Sequence, residues 1–374
     1  MKPILFTDEL YDSAPNSHGI GVLSDAVSCL VTEELNGDYT LKMSYPITGS
    51  WYNQIGLRSI IVAKSNKADV PQPFRVYRIV KPISGLVTIY ANHISSDFSG
   101  IPISPFSGGT PQTSINAISQ FANILVPHKF TLSQDVGESS GVMSIDTPRS
   151  AKQCLVGSQN SFVDTFGGEI KYDRYSIHIT KKRGEDKGVR ISYGKNLTSL
   201  SSDADVTEFY TGIYPYAIND EGSGSTSIIT VNGYIVNADG ADSVGFRKIK
   251  VVDLTDKFIS ADGTRKNITS DSLYAEAVKY IKNNDILAPK HNLKVSFVPL
   301  SDTIEFEGKE LIEGVDLGDT VAVSYEGLGV TTKARCIKTV FNTLSEKYET
   351  VEIGNPKESI IDTIATLVTK TKRL

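Results

Sequence analysis

The stretch 31-VTEELNGDYTLKMSYP-46 decides the fold. Its centre, Asn36-Gly37, is a strong signal for a two-residue hairpin loop, because both central residues of a type I′ turn need positive φ. Large and small residues alternate over 39–45, which places the large side chains on one face of a strand. Residues 27–31 alternate in the same way, less cleanly. The sequence therefore predicts a long two-stranded ribbon near the start of the chain.

The composition is that of a water-soluble, multi-domain protein. A chain of 374 residues is too long for one ordinary core, and 40% hydrophobic with 22% charged residues is ample for several. A formal net charge of −5 excludes a global basic footprint for nucleic acid or an anionic membrane. The sequence contains no apolar run long enough to span a bilayer, and its N-terminus lacks a signal-peptide core.

The cysteines and histidines indicate no metal, cofactor or disulfide framework. Cys29, Cys154 and Cys336 are far apart and have no C-x-x-C spacing, so we expect them to be small core residues. The histidines form no paired ligand motif. We therefore predict no catalytic, cofactor-binding or metal residues, and synthesis in the cytoplasm.

The hydrophobic period changes along the chain and divides it into segments. The first hundred residues are strand-rich, and a Pro/Gly/Ser-rich boundary follows at 100–111. Apolar residues at helical spacing predict helices at 112–125, 149–165 and 270–284, the last with Ser270 as N-cap. The predicted domains are a first β-barrel at 1–100, an α+β peripheral domain at 101–188, a second β-barrel at 189–265 and 301–356, a helix–strand insertion at 266–300 and a C-terminal helix at 357–374.

Two segments of the chain share one pattern. In both 55–91 and 316–354, a glycine (Gly56 or Gly318) precedes an alternating strand, and a second strand opens with Arg75 or Arg335 before a short turn and a third strand. A true duplication and a chance likeness of three-strand meanders both fit this pattern. A duplication would mean two copies of one barrel-like unit.

Two short motifs test the sequence for reactive chemistry. GESSG at 137–141 fits the G-x-S-x-G pattern of hydrolase nucleophiles, but no apolar helix follows it, so a surface loop is the better interpretation. KKRG at 181–184 is most simply a solvated hairpin end. If the chain were an enzyme, Ser139 or Cys154 would be the least implausible nucleophile.

The end of the chain predicts an amphipathic helix. Its apolar residues fit either a docked terminal helix or the start of an oligomeric helical neck. The candidates for an oligomer interface are Ile360, Ile361, Ile364, Leu367 and Val368.

Three stretches resemble one known family. They are 31–49 (VTEELNGDYTLKMSYPITG), 73–95 (PFRVYRIVKPISGLVTIYANHIS) and 166–197 (FGGEIKYDRYSIHITKKRGEDKGVRISYGKNL). Together they resemble the prophage tail-endopeptidase or tail-associated-lysin family of long-tailed phages that infect Gram-positive bacteria. The third stretch is the most specific, because FGGE, RG-x-D-x-G and YGKNL follow each other closely.

The resemblance implies a baseplate or tail-tip hub, similar to the hub of contractile tails. The implied fold is multi-domain α+β and predominantly β, with two tube-type β-barrels, a small α+β domain and a C-terminal helix. The implied assembly is a homotrimeric ring in the virion that continues the tail tube. Its partners would be the distal tail protein, the tape-measure protein and DNA that passes through the channel without specific binding.

The resemblance also implies a lytic activity, for which this sequence shows no catalytic motif. Lytic or receptor-binding modules of such proteins follow the hub region, and this sequence ends at Leu374, so we expect either a short natural protein or an N-terminal piece, with wall contact through a missing C-terminal module. We therefore predict a structural protein and not an enzyme. The alternatives are a cell-wall endopeptidase that cuts peptidoglycan cross-links and, less favoured, a carbohydrate-binding adhesion module.

Overall fold

A computed structural model describes most of the chain. The described residues are 2–137, 142–158, 160–192, 197–205, 209–220, 226–258, 267–284, 286–287, 290–297, 315–325 and 330–354. Two compact units divide it: unit 1 comprises Met1–Ser201 and Leu293–Gly354, and unit 2 comprises Ser202–Asn292 and Asn355–Leu374. This division into two units does not test the domain boundaries expected from the sequence, which therefore stay a prediction.

The described elements are mostly strands. The helices are α1 (Asp8–Ser13), α2 (Pro111–Leu125), α3 (Ala151–Leu155), α4 (Phe162–Phe166) and α5 (Ser270–Asn284). The first strands are β1 (Ile4–Phe6), β2 (Gly21–Val22), β3 (Ser28–Glu34), β4 (Tyr39–Pro46), β5 (Ile60–Ala63), β6 (Gln72–Val80), β7 (Leu86–His93), β8 (Pro102–Ile103), β9 (Phe106–Gly108), β10 (Thr131–Gln134), β11 (Met143–Ile145) and β12 (Arg149–Ser150). The later strands are β13 (Glu169–Asp173), β14 (Ser176–Thr180), β15 (Arg190–Ser192), β16 (Leu197–Asp205), β17 (Gly212–Asp220), β18 (Thr226–Thr230), β19 (Val236–Asn237), β20 (Ile249–Asp253), β21 (Lys290–Phe297), β22 (Thr320–Tyr325), β23 (Val330–Asn342) and β24 (Lys347–Gly354).

One large curled sheet forms the framework of unit 1. Its strand order is β16-β21-β24-β23-β3-β4-β7-β6-β5-β1-β2, and β22 and β15 extend it from β23. The predominantly β fold predicted from the sequence is thereby confirmed. The strands assigned to two separate barrels meet in this one sheet, where β3 pairs antiparallel with β23.

The opening ribbon is present as predicted. Strands β3 and β4 pair antiparallel, with Val31 opposite Leu41. All four large residues of β4 are buried on one face, as their alternation predicted. Each such side chain contributes roughly 2 kcal/mol of burial energy to the core.

The turn of this hairpin differs from the prediction. The loop spans more than two residues, since Tyr39 is the first residue of β4, and a turn is closed by the N–H of Gly37 donating to the carbonyl of Glu34 at 3.1 Å. Asn36 has a φ of 56°, whereas Gly37 lies outside the left-handed region, so the turn is not type I′. The reason is tertiary: the side chain of Asn36 is bound elsewhere in unit 1, as the site below describes.

The internal repeat is visible in the register of the strands. Arg75 lies opposite Ile60 in the β5–β6 pair, and Arg335 lies opposite Thr320 in the β22–β23 pair. A register shift follows each arginine at the same distance. The strand orders β4-β7-β6-β5 and β21-β24-β23-β22 therefore correspond.

The prediction that a glycine takes the same place before the first strand of each repeat, Gly56 in one copy and Gly318 in the other, is wrong for the first copy. Gly318 donates its N–H to the carbonyl of Cys336, and in the first copy it is Arg58, not Gly56, that donates equivalently to Val76, both at 2.8 Å. Both donors have positive φ, 93° for Gly318 and 70° for Arg58. The backbone conformation is thus repeated although the residue type is not. The loops were misaligned in the sequence comparison because it matched Gly318 to Gly56 and not to Arg58.

Helices α2, α3 and α4 share a hydrophobic core with the first half of the large sheet. Helix α2 confirms the prediction at 112–125, and its residue Ile118 shares one core cluster with Leu41 and Ile89 of the sheet. The single helix predicted at 149–165 is wrong. Two short helices, α3 and α4, occupy this segment. Val156 is extended and ends α3, and Gly157 and Asn160, which have positive φ, keep the chain from continuing as one helix.

Unit 2 is a small sheet covered by one helix. Strand β17 pairs antiparallel with β18 and β19 and parallel with β20. Helix α5 confirms the prediction at 270–284 and packs Leu273 and Ala277 into the core of the unit. The predicted cap is wrong by one residue, since the hydroxyl of Thr269 accepts from the N–H of Ser272 at 3.2 Å.

All three cysteines are buried, as predicted. Burial raises the pKa of the Cys29 thiol to about 12 and that of Cys154 to about 11, and it also raises the pKa of Cys336. A buried neutral thiol reacts slowly because the thiolate is the nucleophile.

We expect the native chain to resist thiol reagents. In an Ellman assay at pH 8, native protein should show almost no rapid reaction, and unfolding in denaturant should release all three thiols. Rapid modification of one thiol in the folded protein would contradict the buried placement.

Candidate functional site: an arginine junction in unit 1

The tip of the β3–β4 hairpin is fastened to the start of β13 by one side chain. The amide nitrogen Nδ2 of Asn36 donates to the carbonyl of Gly168 at 3.0 Å, and its Oδ1 accepts from the N–H of Ile170 at 2.8 Å. A carboxamide carries one donor group and one acceptor, as a backbone peptide does, so Asn36 pairs with β13 as an added strand residue would. The left-handed conformation of Asn36, which asparagine tolerates better than most residues, aims the amide there.

Arg335 joins β23 to the same segment. Its Nη1 and Nη2 bind the two carboxylate oxygens of Glu169 at 2.5 and 2.9 Å, the paired geometry that makes arginine–carboxylate contacts strong. Its remaining donors reach the carbonyls of Gly318 at 3.1 Å and Arg183 at 2.8 Å. The sequence predicted that Arg335 opens a strand, as it did for Arg75. In the structure Arg335 lies within β23, which begins at Val330, so the prediction of the strand start is wrong although the residue itself was singled out.

Arg183 brings the 181–188 loop into the junction. Its side chain is only 10% exposed and donates from Nη1 to Glu33 at 3.0 Å and to the carbonyl of Ile170 at 3.0 Å. Its backbone N–H donates to Glu169 at 2.6 Å. The prediction of a solvated hairpin end for KKRG is therefore wrong for Arg183, because its guanidinium is largely buried and paired with Glu33, which lies 150 residues away in the sequence.

Two glycines allow this loop to touch the start of β22. Gly184 has a φ of 71°, and a Cβ there would lie 2.1 Å from the carbonyl carbon of Gly318. Beside it, the buried carboxylate of Asp319 accepts from the backbone N–H groups of Glu185 at 2.8 Å and Asp316 at 2.9 Å. Lys187 then donates to Asp319 at 2.8 Å and closes the network.

The charges of the junction shift one another's titration. Burial alone would raise the pKa of Glu169, but the hydrogen bonds from Arg335 and from the backbone of Arg183 outweigh it and lower that pKa. The same contact with Glu169 raises the pKa of Arg335. For Glu33, burial raises the pKa against the opposing charge of Arg183. The junction is thus an ion network whose acceptors and donors bind each other, an arrangement that holds segments together.

One serine–histidine–aspartate contact occurs among the described residues: the hydroxyl of Ser133 lies 2.8 Å from Nδ1 of His178, and Nε2 of His178 lies 3.5 Å from the carboxylate of Asp135. The side chains of His178 and Asp135 are 37% and 60% exposed.

Cys154 is buried in α3, and its raised pKa is the opposite of an activated thiol's. The buried His93 is hydrogen-bonded to Gln72 and Ser95, and burial lowers its pKa to about 3. No group of three or more potential metal ligands occurs among the residues that the structure describes. Ser139 lies outside the described residues.

The predicted oligomer-interface residues also fall outside what the structure describes. They are Ile360, Ile361, Ile364, Leu367 and Val368. They stay a prediction. Within the described parts of the chain, every helix is too short or too polar to cross a bilayer.

Known proteins share both sequence and structural features with this chain. Residues 185–364 match the family described as "Prophage endopeptidase tail". The chain resembles prophage tail proteins. This confirms the resemblance drawn from the three sequence stretches.

Solved structures of prophage tail proteins share the whole fold. The prophage tail protein gp18 from Listeria monocytogenes EGD-e is 15% identical, with a TM-score of 0.60 and coverage of 100% of both chains. The 43 kDa tail protein of prophage MuSo2 from Shewanella oneidensis is 12% identical, with a TM-score of 0.62 over 95% of this chain and 99% of that one. A tail protein from Neisseria meningitidis MC58 is 8% identical, with a TM-score of 0.58 over 95% and 96%. No curated protein matches the sequence.

We expect the two loop glycines near the junction to differ sharply in their tolerance of alanine. Gly184→Ala and Gly188→Ala both place a Cβ on a left-handed residue, with φ of 71° and 73°, which costs about 1 kcal/mol. Only Gly184 also faces backbone at 2.1 Å, so its variant should lose at least about 3 kcal/mol of unfolding free energy. Denaturant titration of both variants measures this, and equal losses would contradict the close approach.

We expect Glu169 to stabilise unit 1 in a pH-dependent way. Because its pKa is lowered on folding, its contribution is present above the ordinary value of 4.5 and is lost as pH falls through the folded value. Glu169→Gln, which leaves Arg335 without its carboxylate, should cost about 3 kcal/mol at pH 7.

The difference between wild type and Glu169→Gln should shrink below about pH 4.5. Urea unfolding of both proteins across pH 3 to 7 tests this, with the exposed Glu9→Gln as control. A difference that does not change with pH would contradict the ion pair.

Proposed function

We propose that this chain is a structural protein of a phage tail, acting as a hub at the tail tip. The observation that carries the proposal is the fold shared with prophage tail proteins over at least 95% of the chain, together with the family match over 185–364. The corresponding strand orders of the two halves of unit 1 support a wall built from repeated β units. The arginine junction serves this role by locking the two halves and the peripheral segment into one piece.

In this proposal the chain assembles as a trimeric ring that continues the tail tube. Such a ring would lie between the distal tail protein and the tip, around the path of the tape-measure protein and DNA. A net charge of −5 suits a conduit that must release DNA without binding it. The protein would then be a virion component.

An endopeptidase role is the second candidate, because the matching family carries that word in its description. It would act on peptidoglycan cross-links. The raised pKa and burial of Cys154 speak against that residue as its nucleophile. Wall-digestion assays on the chain and on Ser139→Ala decide between the roles: activity lost in the variant would favour the enzyme.

The tail role is tested on phage particles. We expect an antibody against the chain to label one end of the tail in electron micrographs, and deletion of the gene to give particles without complete tails. A complementing copy should restore them. Particles that form normally without the gene and carry no label would overturn the proposal.

A further inference from the structure

The strand β6 has an edge that the chain itself leaves open. Residues 72–75 of β6 pair with β5 on one side, and its other side pairs with β7 along the strand to Val80. Among the described residues, none pairs with residues 77–80 on the side of β5. An unpaired strand edge is a template for another strand.

The second copy of the repeat shows the same edge occupied. Strand β23 corresponds to β6, and beyond the segment paired with β22 it continues as Lys338–Asn342, which pairs antiparallel with β3. The equivalence of Arg75 with Arg335 and of the following register shifts places Arg78 at the position of Lys338 and Ile79 at that of Thr339. The open edge of β6 is therefore the counterpart of an edge that is known to accept a strand.

The side chains at the two edges differ as a vacant and a filled site would. Ile337 and Val340, the residues of β23 equivalent to Tyr77 and Val80, are half-buried beside β3, and Thr339 between them is buried. On β6, Tyr77 is 54% and Val80 is 37% exposed. Tyrosine, isoleucine and valine are residues that favour strands, so this edge is built for pairing yet left uncovered.

The strand that would fill the edge is identified by the same correspondence. In the sheet, β3 is the outer partner of β4, and β16 stands in that place beside β21. Strand β16 ends the sheet on that side among the described residues. Since β3 fills the edge of β23 within the chain, its counterpart β16 is left to fill the edge of β6 in another copy.

Charge supports this choice of partner. Strand β3 ends in Glu33 and Glu34, and Lys338 forms an ion pair with Glu34 across the β3–β23 ladder. The sequence of β16 likewise ends in acidic residues, Asp203 and Asp205. Arg78, which lies over the ring of Tyr90 at 5.3 Å, supplies the matching cation on β6.

We propose that the open edge of β6, Tyr77–Val80, binds strand β16 of a second copy of this chain, so that the curled sheet continues from one protomer to the next. The proposal deepens the ring assembly of the proposed function and rests on it. The contact is a strand added to a sheet edge and held by backbone hydrogen bonds.

The direction of the backbone groups defines the variant that tests this contact. The carbonyl of Ile337 accepts from the N–H of Leu35 at 2.9 Å, so alternate residues of β23 from Ile337 onward face β3. By equivalence the N–H of Ile79 faces the open side of β6 and not β7. Ile79→Pro removes that donor and spares the β7 ladder, because proline is tolerated on strand edges.

The experiment compares assembly by sedimentation velocity. We expect the wild-type chain and Ile79→Ala, which keeps the N–H, to form the trimer, and Ile79→Pro to raise its dissociation constant roughly tenfold or more. Circular dichroism and a denaturant midpoint check that the proline variant is folded. A proline variant that is folded and assembles as tightly as wild type would overturn the strand pairing.

A charge exchange provides a second test that does not depend on proline. Arg78→Glu should weaken assembly, and combining it with Asp203→Arg and Asp205→Arg should restore it. Restoration supports the pairing, and failure to weaken overturns it. Either way, antibody labelling of the tail tip is judged separately, so loss of the pairing and loss of the tail role are distinguishable.

Discussion

The backbone ladder between β3 and β23 is the interaction on which the rest of unit 1 depends. It joins a strand near residue 30 to one near residue 340, so a single sheet contains both halves of the repeat. Because β3 also pairs with β4, the opening hairpin is bonded on both edges. That fixes where its tip lies, and the tip in turn meets the start of β13. Distant parts of the sequence are thereby brought to one place.

The arginine junction is polar because several strands of unit 1 begin or end there. Backbone groups at a sheet end lose their ladder partners and must find others when they are buried. Here side chains take that role: Asn36 satisfies Gly168 and Ile170, Arg335 satisfies the carbonyls of Gly318 and Arg183, and Asp319 accepts from two N–H groups. An apolar contact would have left these groups unpaired. The ion network is therefore explained by the backbone it serves more than by its own Coulomb energy, which burial largely offsets.

How much was predictable depends on whether a feature is local. The β4 face, the helices α2 and α5 and the buried cysteines follow from periodicity within a few residues, and the sequence predicted them. Arg335 was singled out by its place in the repeat. Asn36 was noticed for its turn, but its bond to Gly168 joins residues 132 apart in the sequence, and no local pattern specifies it. Arg183 was misplaced for the same reason, since Glu33 lies 150 residues away. The motif RG-x-D-x-G was the available signal, because both the arginine and its following glycine belong to the junction.

The two copies of the repeat show how one backbone design serves two environments. Arg75 and Arg335 each reach the carbonyl of the left-handed residue before the first strand, Arg58 or Gly318. In the first copy the guanidinium is then held by Asp97 at 2.7 Å and by Asp8, in the second by Glu169. The position requires an arginine side chain, whereas its acidic partner comes from whichever segment packs against that side of the strand. In the second copy that segment is the start of β13, so Arg335 also fastens β13 to β23. Since every partner in the junction belongs to the same chain, these bonds form at the high effective concentration of an intramolecular contact. The two buried carboxylates of the junction, Glu33 and Asp319, are thus paired within the chain itself.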